Sequence, residues 1–301
     1  MSKITHWLGA ARLRTLPLAV STMAMGHTLA YMDGAHDGRI TILSILTAVF
    51  LQVLSNFSND YGDSIHGADS SERQGPSRMV QSGVISLSQM KRAMNIMAIL
   101  SLCTGILLIW VALDGWMMRI LFLILGCLAI WAAINYTAGD RPYGYSGKGD
   151  ISVFIFFGLI TVVGSYFLQT GGWNMMILLP AIACGTLSTG VLNVNNIRDI
   201  ESDLKAGKLS VPVKIGRSAA VRYHGFLLVT AVAALVVYGI LVPYGWSLRW
   251  LFLLVSFLLV INFRAVQKYR QADLLDPYLK HLALSSTALI ASFCICLILF
   301  S

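Results

Sequence analysis

The feature that most constrains this chain is a series of apolar runs, each about as long as a bilayer is thick. A helix needs about 20 mostly apolar residues to cross the hydrocarbon core of a membrane. Runs of this kind recur along the whole sequence, separated by charged residues or by Gly and Pro. We count nine of them, at residues 16–32, 40–58, 92–113, 117–138, 151–169, 174–196, 221–243, 247–264 and 281–300. The sequence therefore predicts an all-α integral membrane protein with about nine transmembrane helices.

The composition agrees with this fold class. Of the 301 residues, 56% are hydrophobic and only 12% are charged, and a soluble domain of this size would need more charge to cover its surface. The net charge is +8. In a soluble protein this balance would suggest nucleic acid, whereas basic loops on the cytoplasmic side of a bilayer explain it here. We therefore expect a lipid bilayer around the chain and no nucleic-acid partner.

The positive charges indicate how the chain is oriented, because Lys and Arg concentrate in the cytoplasmic loops of membrane proteins. With nine helices and a cytoplasmic N-terminus, nineteen of the 22 Lys and Arg residues fall inside. Those left outside are Arg39, Arg119 and Arg249. A missed or extra helix near the middle would distribute the Lys and Arg residues over both sides of the membrane. The sequence thus predicts a cytoplasmic N-terminus and an outer C-terminus.

The loops are also unequal in length and polarity. The outer loops are short, whereas three inner loops, near residues 59–90, 139–150 and 197–220, are long and polar. We therefore expect the functional site at the cytoplasmic face.

Two of the predicted helices end in acidic motifs at this face. The second helix ends in NFSNDYGD (residues 56–63), and the sixth ends in LNVNNIRDIESD (residues 192–203). Residues four apart lie on one side of a helix, about 6 Å apart along its axis. Each motif therefore places oxygen-bearing side chains along one helix face. The pairs and triplet at this spacing are Asn56 with Asp60, Asn59 with Asp63, and Asn195 with Asp199 and Asp203.

The two motifs also hold matching positions in the chain. Helices two and six run in the same direction, so both motifs reach the same face. Asn56 and Asn195 are 139 positions apart, as are Asp60 and Asp199. This spacing indicates one domain over residues 1–301, built by duplication, in which helices 1–4 correspond to helices 5–8 and a ninth helix is added.

Facing carboxylates at a membrane surface suit a magnesium ion. Mg²⁺ usually binds one or two carboxylates, water and substrate phosphate, and it would make a diphosphate a better leaving group. Polar residues are ordinary at helix ends, but two matched motifs favour a site because carboxylates near hydrocarbon are costly. Cations that could assist lie in the same loops: Arg73, Arg78, Arg141, Lys148, Arg198, Lys205 and Lys208.

Taken together, these motifs resemble the UbiA superfamily of intramembrane aromatic prenyltransferases. That family combines an Asn/Asp-rich first motif with a D-x-x-x-D second motif. The similarity is greatest to its branch that prenylates 1,4-dihydroxy-2-naphthoate, and it is carried by NDYGDSIHGAD, RQGPSR, YTAGDRPYGYSGKGDISVFIFFG and LNVNNIRDIESDLKAGKLSVPVKIG. The N-terminal RLRTLPLA is similar to the family's Arg-Pro-x-Thr-Leu start.

The resemblance implies a helical bundle in the bacterial cytoplasmic (inner) membrane, with a central cavity open to the cytoplasmic face and the lipid. It also implies a reaction. Mg²⁺ holds an all-trans polyprenyl diphosphate, diphosphate leaves, and the naphthoate ring attacks at its carboxylated carbon, which gives demethylmenaquinone with loss of CO2. An allylic cation requires a water-poor cavity. The aromatic run VFIFF could shelter that cation, face lipid or pack in the core.

The motifs and the resemblance together indicate the site residues. The expected catalytic carboxylates and metal ligands are Asp60, Asp63, Asp199 and Asp203, supported by Asn56 and Asn195 as further ligands that also contact substrate. Tyr136 would stand near the reacting carbon. The cations expected to bind the diphosphate or the naphthoate carboxylate are Arg12, Arg73, Arg78, Arg141 and Lys148.

The sequence departs from the family pattern at two positions. Many relatives carry NDxxDxxxD in the first motif, where this chain has Gly67 in place of the last Asp and Asp69 two residues later. This Gly is expected in the naphthoate branch, and the sequence leaves open whether Asp69 replaces the missing ligand. The family's Pro after the first Arg is Leu13 here, which concerns the start of the helix more than the chemistry.

Two other functions fit part of the pattern. A prenyltransferase of the same family could use another acceptor, such as 4-hydroxybenzoate, although Gly67 and the YGYSGKGD segment argue against it through the resemblance. A cation-coupled transporter would also combine matching half-chains with intramembrane acids. Transporters place ionisable groups near the midplane, whereas these helix centres are almost free of charge and the acids cluster at one face.

Overall fold

A computed structural model of the chain describes residues 3–67, 78–242 and 248–300, and every regular element within those ranges is a helix. Short 3₁₀ turns at Leu13–Thr15, Tyr143–Ser146 and Leu248–Leu251 connect some of the helices. In chain order the helices are α1 (Lys3–Ala11), α2 (Leu16–Met32), α3 (Gly38–Ile65), α4 (Leu87–Ala112), α5 (Trp116–Asn135), α6 (Gly149–Thr170), α7 (Met175–Arg198), α8 (Ile200–Lys205), α9 (Val211–Ile215), α10 (Arg217–Leu241), α11 (Phe252–Lys268) and α12 (Ala272–Phe300).

Each predicted apolar run overlaps one of these helices, but the helices differ in how well they fit a bilayer. Within the described ranges, seven are long and apolar enough to cross a membrane: α3, α4, α5, α6, α7, α10 and α12. The other two runs correspond to α2 and α11, which have 17 residues each. The all-helical membrane fold is thus as predicted, and the count of nine spans stays a prediction.

The second acidic motif differs from the continuous helix that its spacing predicts. Helix α3 carries the whole first motif, whereas α7 ends at Arg198 and α8 begins at Ile200. Asp199 stands between them with φ −97° and ψ 11°. The backbone N–H of Asp199 still bonds the carbonyl of Asn195 at 3.1 Å, and that of Asp203 bonds the carbonyl of Asp199 at 2.8 Å. The three side chains therefore keep their four-residue spacing across a kink.

Small residues allow α6 and α7 to pack closely. A Cβ at Gly158 would lie 2.6 Å from the carbonyl oxygen of Ala181, and a Cβ at Gly185 would lie 2.7 Å from the Phe154 ring. Such small-residue contacts are typical of helices packed within a membrane. Helix α7 is mostly buried as a result, whereas α5 exposes large apolar side chains such as Leu128 and Trp131 on its outer surface.

Gly62, inside the first motif, is where α3 approaches the backbone that follows α5. A Cβ at this position would lie 2.3 Å from the carbonyl carbon of Thr137 and 2.7 Å from the backbone nitrogen of Ala138. Because backbone atoms cannot rotate away, Gly62→Ala is expected to cost about 1–3 kcal/mol of stability. The measurement is the midpoint of thermal unfolding in detergent. Gly164→Ala, whose Cβ would meet nothing within 4 Å, is the control, and an equal loss in both variants would contradict the packing argument.

Candidate active site

The two acidic motifs lie at the same end of the bundle, which we call the site end, and the turn Tyr143–Ser146 connects them. The Tyr145 hydroxyl donates to Oδ1 of Asp63 at 2.7 Å. The ammonium of Lys208 lies 5.7 Å from the centre of the Tyr145 ring and 3.2 Å from Oδ1 of Asp203. Asp63 and Asp203, 140 positions apart in the sequence, are thereby linked through two intervening side chains. The structure brings the motifs together as the sequence predicts.

Arg78 holds the first motif in place from the loop that follows it. One guanidinium nitrogen, Nη2, lies 2.5 Å from Oδ2 of Asp63, and Nη1 donates to the backbone carbonyl of Asn59 at 2.5 Å. The backbone N–H groups of Met79 and Val80, next along the chain, hydrogen-bond the Asp60 carboxylate. A cation and two backbone donors therefore offset much of the negative charge that this motif buries.

Asn56 has a different set of partners from the acids of its motif. Its amide nitrogen donates to the carbonyl of Ala11 at 2.8 Å and lies 3.3 Å from the hydroxyl of Thr15. Between these two residues, Arg12 adopts the left-handed conformation with φ 49° and ψ 60°. Asn56 thus fixes the strained turn that directs Arg12 into the cavity described below, so its contacts favour an orienting role beside that of a ligand.

The second motif is held by Arg198, which is itself part of it. The guanidinium contacts both oxygens of Asp199, with Nε at 2.7 Å and Nη2 at 2.8 Å. Nη2 also donates to the side-chain oxygen of Asn195 at 3.0 Å, and Nη1 lies 2.5 Å from Oδ1 of Asp276 on α12. Arg198 therefore joins two predicted ligands, Asn195 and Asp199, to a second carboxylate, that of Asp276, which lies outside both motifs.

Asp203 lies on α8, beyond the end of α7, and is 5% exposed. Burial raises the pKa of the Asp203 carboxyl above its ordinary value; Lys208 opposes this rise, and repulsion from Asp199 and Asp63 adds to it. A carboxylate in such surroundings gains from any further cation placed beside it. The pKa of Asp203 therefore indicates a position where bound positive charge would be favourable.

A cavity of about 810 Å³ opens from the motifs into the bundle. Its polar lining at the site end includes Arg12, Asn56, Asn59, Asp63, Arg78, Asn195, Lys208 and Lys280. Farther in, the walls are apolar and include Leu108, Met118, Leu121 and Phe122. Tyr136, Phe156 and Phe157 line it as well, so part of the VFIFF run faces the cavity. The shape and lining suit a ligand with an anionic head and a long apolar tail.

The two motifs beside this cavity fit a hard divalent cation; Asn56, Asp63 and Asn195 line the cavity itself, whereas Asp60, Asp199 and Asp203 do not. Oδ1 of Asp60 and Oδ2 of Asp203 are buried and have no hydrogen-bond partner among the described residues. Buried carboxylate oxygens without partners are costly, and Mg²⁺ prefers oxygen ligands of this kind. Within the described part of the chain, no three His, Cys, Asp or Glu side chains converge closely enough to hold a metal ion by themselves. Water and a ligand phosphate would have to complete the coordination.

Some predicted residues are placed apart from this cluster. Arg141 and Lys148 are exposed and do not line the cavity, and Arg73 and Asp69 lie outside the described residues. Conversely, Tyr145, Asp276 and Lys280 belong to the site but are absent from the predicted set. Tyr145 lies in the YGYSGKGD segment that carries the resemblance, so the sequence did contain a signal for it. Asp276 and Lys280 stand near the start of the last apolar run, in no recognisable motif.

These features define a class of protein: a multi-pass helical membrane protein with an acidic site and several cations at one end of an apolar cavity. The chain belongs to the UbiA prenyltransferase family, whose model matches residues 19–293. The family assignment that the motifs suggest is therefore confirmed.

Individual relatives agree with this assignment. The chain is 42% identical to 1,4-dihydroxy-2-naphthoate octaprenyltransferase of Escherichia coli strain K12, over 93% of this chain and 91% of that protein. It is 40% identical to the Haemophilus influenzae enzyme of the same name, over 94% and 92%. The solved structure of a UbiA homolog from Archaeoglobus fulgidus bound to GPP and Mg²⁺ matches with a TM-score of 0.59 and 17% identity, covering 97% of this chain and 99% of that one. This last similarity supports the fold alone.

Proposed function

We propose that the protein transfers a polyprenyl group from an all-trans polyprenyl diphosphate to 1,4-dihydroxy-2-naphthoate, with loss of diphosphate and CO2, to give the hydroquinone form of demethylmenaquinone. The observation that carries this proposal is the pair of acidic motifs facing each other at the mouth of an apolar cavity. The relatives named for this reaction, at 40% and 42% identity over most of the chain, support the choice of acceptor.

Mg²⁺ fits this site as the metal. Asp60 and Asp203 would hold it through the oxygens that have no hydrogen-bond partner within the described ranges, and the remaining proposed ligands are Asn56, Asp63, Asn195 and Asp199. When bound, the ion would neutralise the diphosphate and make it a better leaving group. UbiA homologs of the same fold from Archaeoglobus fulgidus have been solved bound to Mg²⁺ together with DMAPP or GPP, so this fold can hold the ion beside a prenyl diphosphate.

The chain's own residues perform the remaining tasks. The cations lining the mouth, Arg12, Arg78 and Lys208, would bind the phosphate oxygens that the carboxylates alone would repel. The apolar walls receive the prenyl chain and exclude water, which prolongs the life of an allylic cation. Tyr136, Phe156 and Phe157 present ring faces and edges along the cavity, where π-electron density would favour a passing positive charge.

The membrane orientation belongs to the same proposal. Nine transmembrane helices with a cytoplasmic N-terminus place nineteen of the 22 basic residues inside. The site then faces the cytoplasm of a bacterial inner membrane, with the prenyl tail reaching into the bilayer. The matched spacing of the two motifs supports the duplicated arrangement of helices 1–4 and 5–8.

The direct test is a reconstituted reaction. Purified protein in lipid vesicles, given 1,4-dihydroxy-2-naphthoate, a polyprenyl diphosphate and Mg²⁺, is expected to form a prenylated naphthohydroquinone, which after oxidation in air has the mass of demethylmenaquinone. Removing the divalent ions with EDTA should abolish turnover, and added Mg²⁺ should restore it, because the carboxylates alone cannot stabilise the departing diphosphate. The control replaces the acceptor with 4-hydroxybenzoate. Equal turnover of both acceptors, or no naphthoquinone product, would contradict the acceptor assignment.

A further inference from the structure

Asp276 belongs to an ion-pair network with Arg198 and Asp199 of the second motif, although it lies 77 positions after Asp199 in the sequence. Its Oδ1 is 2.5 Å from Nη1 of Arg198, and the same guanidinium contacts both oxygens of Asp199. The Arg198 side chain is 2% exposed and that of Asp199 is 4% exposed. The Asp276 side chain is 27% exposed, so it is the member of the ion-pair network that faces solvent, at the rim of the site.

The net charge of this ion-pair network determines how strongly Asp199 attracts an approaching cation. The bidentate pair of Arg198 and Asp199 is neutral by itself, and each Asp199 oxygen keeps one lone pair beside the bond from the guanidinium. Asp276 adds a second negative charge on the far side of Arg198. Asp199, Arg198 and Asp276 together then carry a net charge of −1, and the guanidinium is shared between two carboxylates.

We infer that Asp276 is a positioning residue for the metal: by sharing the Arg198 guanidinium with Asp199, it leaves the three side chains with a net negative charge, so that Asp199 can still attract a cation as a ligand. This inference rests on the proposed function, in which Asp199 meets Mg²⁺. It assigns to α12, a helix without an acidic motif, control over the affinity of the site for the ion. Arg198 need not leave the site when the metal binds, because Asp276 remains its partner.

The test replaces Asp276 with Asn, which keeps the size of the side chain and removes its charge. Positioning partners of metal ligands change metal affinity by about 10- to 100-fold, so Asp276→Asn is expected to raise the half-saturating Mg²⁺ concentration at least about tenfold. The kcat at saturating Mg²⁺ should stay within a few-fold of wild type, because no group that contacts substrate has changed. Asp276→Glu, which retains the charge, should restore much of the Mg²⁺ affinity.

Asp273→Asn is the matched control, because Asp273 is an exposed acid on the same helix, three residues earlier. It should leave the Mg²⁺ requirement unchanged. Binding of Mn²⁺ to substrate-free protein, followed by electron paramagnetic resonance, gives a second readout that does not depend on the acceptor. If wild-type protein formed no product, the proposed function would fail, while the Mn²⁺ measurement would still decide the role of Asp276.

A double variant separates positioning from a merely structural role. If Asp276 acts by sharing the Arg198 guanidinium, then Asp276→Asn should have little further effect on Mn²⁺ affinity in an Arg198→Gln background. Because Arg198→Gln leaves the buried Asp199 carboxylate without its cation, the thermal unfolding midpoint of each variant is measured alongside its Mn²⁺ affinity. Lowered thermal stability of Asp276→Asn with unchanged Mg²⁺ and Mn²⁺ affinity would overturn the inference, as would equal losses of affinity in both backgrounds.

Discussion

Asp60→Asn and Asp199→Asn are each expected to lower kcat by more than about a hundredfold, the size of effect seen when a group that stabilises developing charge is removed. Asn has nearly the shape of Asp but lacks the negative charge that holds Mg²⁺. The two residues belong to different motifs, so a loss in both variants would show that the two sides of the site act together. The measurement is steady-state turnover of purified variants in vesicles.

The control for this pair is Asp140→Asn, which changes an exposed acid in the loop after α5. Turnover of that variant should be close to wild type. Size-exclusion profiles and thermal unfolding midpoints show whether Asp60→Asn and Asp199→Asn remain folded. Substantial activity in folded protein carrying both substitutions would rule out the mechanism in which two facing motifs clamp one metal–diphosphate complex.

The second large effect is expected from filling the cavity at Gly126. This residue lines the cavity on α5, and a Cβ placed there would meet nothing within 4 Å. It lies ten residues before Tyr136, or about 15 Å along the helix axis. Gly126→Trp would occupy the path of a long prenyl tail and leave the site end open. Overpacking costs about 1–3 kcal/mol, so turnover of a long polyprenyl diphosphate should fall about 10- to 100-fold.

Geranyl diphosphate serves as the comparison substrate, because its short tail need not pass Gly126. Its turnover should fall much less than that of the long donor in the Gly126→Trp enzyme. The matched variant is Cys127→Trp, which adds the same side chain to an exposed position of the same helix. Equal losses with short and long donors, or equal effects of the two Trp variants, would show that the prenyl chain does not follow this cavity.

Hydropathy predicted the helices well because the bilayer imposes one strong requirement on each of them. The run predicted at 16–32 coincides with α2, and the others overlap their helices closely. The ends were harder to predict, because polar residues can extend a helix into water. Helix α3 continues to Ile65, and α12 begins at Ala272, nine residues before the predicted start of its run. Both extensions carry site residues.

The site was predictable where it depends on local spacing and unpredictable where it depends on packing. Four-residue spacing in helices of the same direction correctly predicted that the two motifs meet. The same spacing could not predict the kink at Asp199, since neither Arg198 nor Ile200 breaks a helix by itself. The pairing of Arg78 with Asp63 and of Arg198 with Asp276 depends on which helices are neighbours. For the same reason, Arg141 and Lys148 look equivalent to Arg78 in sequence but are exposed in the structure.

The contact between Arg198 and Asp276 has a consequence for biogenesis. During synthesis, Arg198 emerges from the ribosome 78 residues before Asp276, so for that interval Asp199 and Asn195 are the partners available to it from this set. Only when the last helix is inserted does the guanidinium acquire its second carboxylate. A nascent chain truncated before α12 would keep both acidic motifs and yet lack this contact. Insertion of the final segment is therefore coupled to completion of the charge balance at the second acidic motif.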